Sequence, residues 1–174
     1  MAAVAPPIPD TAAAATPNSS LSPQESPGLY PVATFDLLAS FKYIKTLPGE
    51  SRKSPRVDPF PPAVKALDQK KVTVIGFMAP LDVDDEGRVL EFMLMRNQLF
   101  CCYGKPLDMN EWIEVTPAGD QTVEQRLDMP LAASGVLTVG ERDIEGIVIR
   151  LYHLDLEDIR PVDGENARSR PLPK

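Results

Sequence analysis

The sequence predicts an all-β fold, a small barrel of five antiparallel strands with a short helical lead-in. Three apolar-rich runs between residues 71 and 116 are separated by turn signals, which is typical of neighbouring strands. Two more alternating runs follow between residues 134 and 159. A chain of 174 residues with polar ends is long enough for one such domain.

The first two runs predict a hairpin. Lys71 to Leu81 is rich in β-branched residues, and its Gly76 and Pro80 predict a bulge, a bend or a close backbone approach. A polar turn at residues 84–87 ends in glycine and leads into the second run, Val89 to Gln98. In that run the pattern predicts Leu90, Phe92 and Leu94 on one face and Glu91, Met93 and Met95 on the other.

Three further runs complete the predicted barrel. Residues 111–116 place Trp112 and Glu114 on the same face of a third strand. After a polar connection, Ser134 to Glu141 is the predicted fourth strand and Ile147 to Ile159 the fifth. Five strands in this order suggest an OB-like barrel.

The two ends of the chain flank a single predicted domain at residues 32–160. Residues 1–31 are rich in Pro, Ala and Ser, a composition that predicts a disordered tail. Residues 161–174 are predicted to be a polar C-terminal tail. Within the domain, Thr34 is a candidate N-cap for a short amphipathic helix, and a second helical turn is predicted to begin at Pro61.

The adjacent Cys101 and Cys102 are the most informative local feature. A thiolate pair can bind a soft metal such as Cu(I), react as a redox site or close a vicinal disulfide. Free cysteine is also among the most buried residue types, so core packing is the competing interpretation. We predict no cofactor, with a copper or zinc site or a thiol-redox centre at this pair as the alternative. Tyr103, Gly104 and Trp112 are further candidates for a binding loop.

The remaining motifs favour structural roles. His153 is the only histidine and lies in a predicted strand, so its role depends on the face that it occupies. Residues 82–87 are similar to the start of a calcium loop, but Met93 stands where a bidentate glutamate is required, which predicts a hairpin turn. Met78, Met93 and Met95 could supply thioethers to copper, yet methionine in strands is more often a core filler. The sequence has no Gly-rich phosphate loop or Gly-x-Ser-x-Gly elbow, so we favour a non-enzymatic protein.

A family resemblance extends over most of the domain. The pattern "FDLLASFKY", "ALDQKKVTVIGFMAPL", "EFMLMRNQLFCCYG", "NEWIEV", "GVLTVGE" and "GIVIRLYHLDLEDI" resembles the bacterial domain of unknown function 3299, especially its verrucomicrobial and planctomycete members. The resemblance covers roughly residues 34–160. It implies an architecture, and it implies no reaction.

Charge and hydropathy limit the partners that the chain can have. The formal net charge of −7 opposes the basic surface that binds phosphate backbones, so we expect no nucleic acid. An OB fold can bind single-stranded nucleic acid, and this function is the second alternative because the acidic charge opposes it. No run approaches the roughly 18 apolar residues of a membrane span.

The expected location follows from the family resemblance. The N-terminal stretch has no basic n-region, so as written it does not predict a secretory signal. Members of the resembled family often carry an export signal or a lipid anchor, so we expect the bacterial envelope or periplasm, with a membrane tether if a signal was removed. A cytoplasmic location is expected if Met1 is the native start. The predicted function is non-enzymatic binding of a protein partner.

Overall fold

The computed structural model describes residues 30–44, 58–98, 107–119 and 121–162. These residues form two single-turn helices and five strands: α1 (Phe35–Leu38), α2 (Pro62–Lys65), β1 (Lys70–Val83), β2 (Val89–Met95), β3 (Trp112–Pro117), β4 (Leu131–Ile144) and β5 (Ile147–Pro161). Among the described residues, no helix has the length and apolar character needed to cross a membrane.

The five strands form one mixed sheet that closes on itself. Their order around the ring is β1-β2-β3-β5-β4, and β4 pairs back with β1. Four of the pairs are antiparallel, whereas β3 and β5 run parallel through the register that pairs Glu114 with His153. The prediction of an entirely antiparallel barrel was therefore wrong. The reason is geometric, because an odd number of strands cannot alternate in direction around a closed ring.

The parallel pair depends on the connection at residues 118–130. This segment carries the chain from β3 to β4, which lies beside β1 and antiparallel to it. A two-residue turn then reverses the chain into β5, with Glu145 at φ 53° and Gly146 at φ 82°, the left-handed conformations that such hairpin turns require. β5 runs antiparallel to β4 and lies between β4 and β3 in the ring. It therefore runs in the same direction as β3.

Alternate residues of every strand fill the interior of the ring. The side chains at these positions are at most 3 % exposed: Val72, Val74, Met78, Phe92, Leu94, Ile113, Val115, Leu131, Leu137, Tyr152, Leu154 and Leu156. Leu38 of α1 and Val64 of α2 are also fully buried in this core. Burial of each such aliphatic side chain contributes about 1.5–3 kcal/mol. The two short helices therefore belong to the core of the barrel.

The helix-start signals in the sequence are confirmed. The Thr34 side chain accepts a 3.3 Å hydrogen bond from Leu37 N, as an N-cap does. Pro62 occupies the first turn of α2 after Pro61, where the missing N–H costs nothing. Each helix ends after four residues, so the lead-in helix is shorter than the pattern suggested.

β1 is longer than predicted and is adapted at two positions. A Cβ at Gly76 would stand 2.6 Å from Met95 O, so the glycine allows β2 to approach closely, as expected. The register with β2 shifts just after Pro80, which confirms a bulge there. β2 itself ends at Met95, and Leu90 is 37 % exposed rather than buried. Val89 takes the buried position instead of Leu90 because the shifted register changes the phase of the strand.

The segment before α1 lies along one edge of β1. Ala33 N donates to Thr73 O at 2.9 Å, and Thr73 N donates to Pro31 O at 3.0 Å. On the other side of β1, the Thr73 hydroxyl forms a buried 2.8 Å hydrogen bond with the Ser134 hydroxyl. The segment thus satisfies backbone groups in the half of β1 that β2 does not reach.

Candidate functional site

The structure describes only one of the five residues predicted for a metal site or binding loop. Cys101, Cys102, Tyr103 and Gly104 lie outside the described residues, so their proposed roles stay predictions. Trp112 is the first residue of β3, where it is half-buried and packs against the core. Its backbone partner is Met95 at the end of β2.

Trp112 belongs to an apolar surface on the outside of the barrel. Outward positions of β1 alternate with its buried ones, and all of those between residues 75 and 79 are apolar. The register continues this surface across the sheet, because Phe77 pairs with Met95 and Ala79 pairs with Met93. We name the set the outer stripe: Ile75, Phe77, Ala79, Met93, Met95 and Trp112, of which Ile75 is 42 % exposed and Met95 is buried, at 4 % exposed. The solvent side of an antiparallel sheet usually carries polar residues, so an apolar outer face is unusual.

A charged group continues the same row of the sheet beyond Met93. Met93 pairs with Glu114, and Glu114 pairs with His153 across the parallel ladder. Both the guanidinium of Arg150 and Nδ1 of His153 contact Oε1 of Glu114, the latter at 3.4 Å. Arg142 Nη1 lies 3.9 Å from the same oxygen. We name these four residues the Glu114 cluster.

Three of the four side chains of the Glu114 cluster are largely removed from water, whereas Arg142 is 57 % exposed. The side chains of Glu114, Arg150 and His153 are 14 %, 14 % and 16 % exposed. Arg150 also contacts Nδ1 of His153. The other ring nitrogen, Nε2, lies 3.2 Å from Asp155 Oδ1. The imidazole is therefore fixed at both nitrogens.

A change of register in the β4–β5 hairpin brings Arg150 and His153 together. The pairing shifts between Val139 and Arg142 of β4, opposite residues 150–152. The pairing shifts again between Arg142 and Asp143, and in this irregular region Leu151 and Tyr152 are consecutive and both buried, at 0 % and 1 % exposed. Arg150 and His153, which flank this pair in the sequence, contact each other on the outside of the barrel. Strict alternation would have separated them on opposite faces.

A hollow of about 360 Å³ lies beside the Glu114 cluster. Its walls come from Thr138 and residues 140–143 of β4 and from Arg150 and His153 of β5. Tyr43 donates a 2.6 Å hydrogen bond to Glu141 in this wall, which connects the lead-in segment to the site. Within the described ranges, no group of three or more His, Cys, Asp or Glu side chains could hold a metal ion. Six of its seven lining residues carry polar or charged side chains.

Two other sequence motifs have structural roles. The segment at residues 84–88 is a turn, as predicted, with Asp84 N bonded to Arg88 O and Gly87 N bonded to Asp84 O, both at 2.9 Å. Met78 points into the core, whereas Met93 and Met95 occupy the alternate, outward face. The three thioethers therefore do not converge on one copper ion.

Sequence reasoning missed Arg150, Arg142 and the role of Glu114. One signal was available in the fifth run, where the adjacent apolar residues Leu151 and Tyr152 interrupt the alternation. An interruption of this kind indicates a bulge and places the residues on either side of it on one face. The contact with Glu114 had no such signal, because it depends on which strand lies beside β5.

The architecture is that of a small mixed-β barrel with an apolar stripe and a charged cluster side by side on its outer surface. The profile of a family described as "Protein of unknown function (DUF3299)" matches residues 35–161. The chain therefore belongs to the DUF3299 family, which confirms the resemblance seen in the sequence.

A solved structure is also similar to the chain. The crystal structure of a DUF3299 family protein from Pseudomonas aeruginosa PAO1 is 26 % identical in sequence, and the match covers 59 % of this chain and 67 % of that chain with a TM-score of 0.49. No curated protein matches the chain.

Proposed function

We propose that the protein is a non-enzymatic binding module of the bacterial envelope, which holds a protein partner against the outer stripe and the Glu114 cluster. The observation that carries the proposal is the outer stripe itself. An apolar outward row on β1 continues through the half-buried Met93 and the buried Met95 of β2 to Trp112 of β3.

The composition of this surface fits a protein interface. Aromatic residues, methionine and arginine are enriched where proteins meet, and Trp and Arg are frequent hot spots. The outer stripe supplies Phe77, Trp112 and Met93, and the Glu114 cluster next to it supplies two arginines. An apolar centre with a polar, hydrogen-bonding border is the usual arrangement of such an interface.

The barrel that carries this surface is, we propose, OB-like. OB-folds bind their ligands on the face of the second and third strands, between the β1–β2 and β4–β5 turns. The outer stripe and the Glu114 cluster occupy β2, β3 and the base of the β4–β5 hairpin in this chain, and the stripe also extends onto β1. Fold analogy supports the position of the site and leaves the partner to experiment.

The connection that carries the cysteines is a natural extension of the site. It leaves β2 after Met95 and enters β3 at Trp112, and both of these residues belong to the outer stripe. We therefore include the binding-loop candidates Tyr103 and Gly104 of this connection in the proposed contact surface. The alternative remains a metal or thiol-redox centre at the two cysteines. The envelope location is supported by the family resemblance alone.

Site-specific photo-crosslinking tests the proposed surface. A photoreactive amino acid replaces Met93 in the full-length protein, and a second variant carries it at Lys65, an exposed residue of α2 away from the stripe. In bacterial envelopes we expect a discrete crosslinked protein from the Met93 position and none from the Lys65 position. Equal crosslinking at both positions, or none at either, would refute the proposed interface.

A charge substitution provides the matched functional control. Phe77→Glu introduces a charge into the outer stripe, whereas Ile44→Glu introduces the same charge at an apolar side chain that is already 77 % exposed. We expect Phe77→Glu to abolish the crosslink from Met93 and Ile44→Glu to leave it unchanged. Thermal unfolding of both variants shows whether the barrel is intact.

A further inference from the structure

The segment that precedes α1 is tied to two strands through the side chain of Tyr30. The Tyr30 hydroxyl donates a 2.5 Å hydrogen bond to Glu157 Oε2 on β5. The Lys71 ammonium on β1 donates to the same hydroxyl at 3.2 Å and lies 3.0 Å from Glu157 Oε1. It also stands 5.2 Å from the centroid of the Tyr30 ring, within the range of a cation–π contact. We name these three residues the latch.

The backbone of Tyr30 contacts a buried pair of hydroxyls. Its N–H donates to Thr73 Oγ1 at 3.2 Å, and that oxygen lies 2.8 Å from Ser134 Oγ. Thr73 alternates with two core valines of β1, so its side chain faces the outside of the barrel. Thr73 and Ser134 are nevertheless only 1 % exposed. Residues 30–33 therefore help to keep these hydroxyls from water.

The segment is anchored firmly at one end and weakly at the other. Ala33 is 1 % exposed, belongs to the core and donates its N–H to Thr73 O at 2.9 Å. Pro31 is exposed, Val32 is 44 % exposed and Tyr30 is half-buried. Residues with few buried apolar contacts can open locally while the rest of a protein stays folded. The contacts of the latch are therefore an important part of what holds the first three residues.

We infer that residues 30–32 form a strap that opens away from β1, with Ala33 as its hinge, while the barrel stays folded, and that the latch holds the strap closed. Opening breaks the 3.0 Å hydrogen bond from Thr73 N to Pro31 O and exposes the Thr73 and Ser134 hydroxyls. Water replaces the lost partners, so no polar group is left buried and unsatisfied. The strap thus controls solvent access to one edge of β1.

The charge of Glu157 sets the strength of the latch. The hydrogen bond from Tyr30, followed by the one from Lys71, lowers the pKa of the Glu157 carboxyl below its ordinary value of 4.5. The closed strap is therefore favoured fully above that ordinary value, and this contribution is lost as the pH falls through the lowered pKa. Acid is accordingly expected to open the strap.

Other charged side chains lie near Glu157. Asp155, two residues earlier on β5, is 3.2 Å from His153 Nε2. The groove that Glu157 lines also contains two ion pairs: Glu124 with Arg126, and Asp158 with Arg160. The acid response is therefore assigned to Glu157 by substitution of that residue.

Amide hydrogen exchange of the full-length protein, followed residue by residue, tests the strap. The Thr73 amide points to the strap, whereas the amides of Val72 and Val74 point to β4, so the two sets report strap opening and barrel opening separately. Lys71→Met removes the ammonium of the latch, and Lys70→Met makes the same change one residue earlier. We expect Lys71→Met to speed exchange at Thr73 by about two- to fivefold and Lys70→Met to leave it unchanged. Unchanged exchange at Thr73 in Lys71→Met, or equal acceleration at Val74, would overturn the inference.

The pH dependence of the same amides tests the role of Glu157. Protection of Thr73, corrected for the exchange rate of an unstructured peptide, should fall between about pH 6 and about pH 3 while protection of Val74 persists. Glu157→Gln should show the weaker protection already at about pH 6, whereas Glu86→Gln, at a carboxylate that is 67 % exposed in the β1–β2 turn, should match the wild type. Protection that falls together at Thr73 and Val74, or that ignores acid, would contradict a latch controlled by Glu157. None of these measurements involves a partner protein, so the strap and the proposed function can fail independently.

Discussion

The hydroxyl of Tyr152 donates a buried 2.8 Å hydrogen bond to the backbone carbonyl of Leu38. Tyr152 lies inside the barrel on β5, and Leu38 ends α1, so the bond joins the fifth strand to the lead-in helix. The Tyr152 ring also packs against Phe60, with ring centroids 6.1 Å apart. Tyr152 therefore links β5 to α1 and to Phe60 at one end of the barrel.

Removal of the Tyr152 hydroxyl should destabilise the fold measurably. We expect Tyr152→Phe to lower the free energy of unfolding by about 1–2 kcal/mol, because the Leu38 carbonyl loses its buried donor. Urea unfolding followed by circular dichroism measures the difference. Tyr30→Phe is the control, since that hydroxyl bonds to Glu157 at an exposed position and its loss should cost less than about 1 kcal/mol. An equal loss in both variants would contradict this role for Tyr152.

The same residue predicts a loss of stability in alkali. Burial raises the pKa of the Tyr152 phenol above the value of about 10 expected in an unfolded chain. The folded state therefore keeps its proton where the unfolded state loses it, so this contribution is complete below about pH 10 and declines as the pH rises further. Unfolding measured from pH 8 to 11 should show a shallower decline for Tyr152→Phe than for the wild type. Parallel curves would refute the assignment.

Gly135 is predicted to be intolerant of any side chain. A Cβ at this position would lie 2.0 Å from Asp155 O, where β4 and β5 shift register. We expect Gly135→Ala to cost about 3 kcal/mol, because only backbone movement can relieve the clash. Gly140→Ala, in the same strand, meets nothing within 4 Å and should change stability by less than about 1 kcal/mol. Similar melting temperatures for the two variants would contradict this packing.

The Glu114–Arg150 pair is predicted to couple more strongly than an exposed pair. A double-mutant cycle with Glu114→Ala and Arg150→Ala should give a coupling of about 1–3 kcal/mol, because both side chains are mostly removed from water. The matched cycle at Glu124 and Arg126, whose side chains are 78 % and 41 % exposed, should give less than about 1 kcal/mol. A coupling in the first cycle no larger than in the second would show that the Glu114 cluster is not a stable unit.

The paired cysteines are predicted to be core thiols. We expect Cys101 and Cys102 to be free, without bound copper or zinc, and reactive with a thiol reagent only after denaturation. Thiol titration with and without denaturant, combined with metal analysis of the same anaerobic sample, checks both expectations. Native-state reactivity, a disulfide or bound metal would instead support the thiol-redox or metal alternative.

The sequence by itself determined the family, the number of strands and the turns between them. These depend on local signals: β-branched runs such as 71–75, the polar turn at residues 84–87, and Thr34 and Pro62 at the helix starts. Even the close approach at Gly76 was predictable, because a glycine within a strand has few other uses.

Only the tertiary structure decided which strands became neighbours. The parallel pairing of β3 with β5 brings Glu114 to His153, and the register shift opposite residues 150–152 brings Arg150 to both. Local sequence patterns determine which residues share a face of one strand. Closure of the ring depends on the whole chain, and it determines which strand lies beside that face. The outer stripe and the Glu114 cluster arise from that closure.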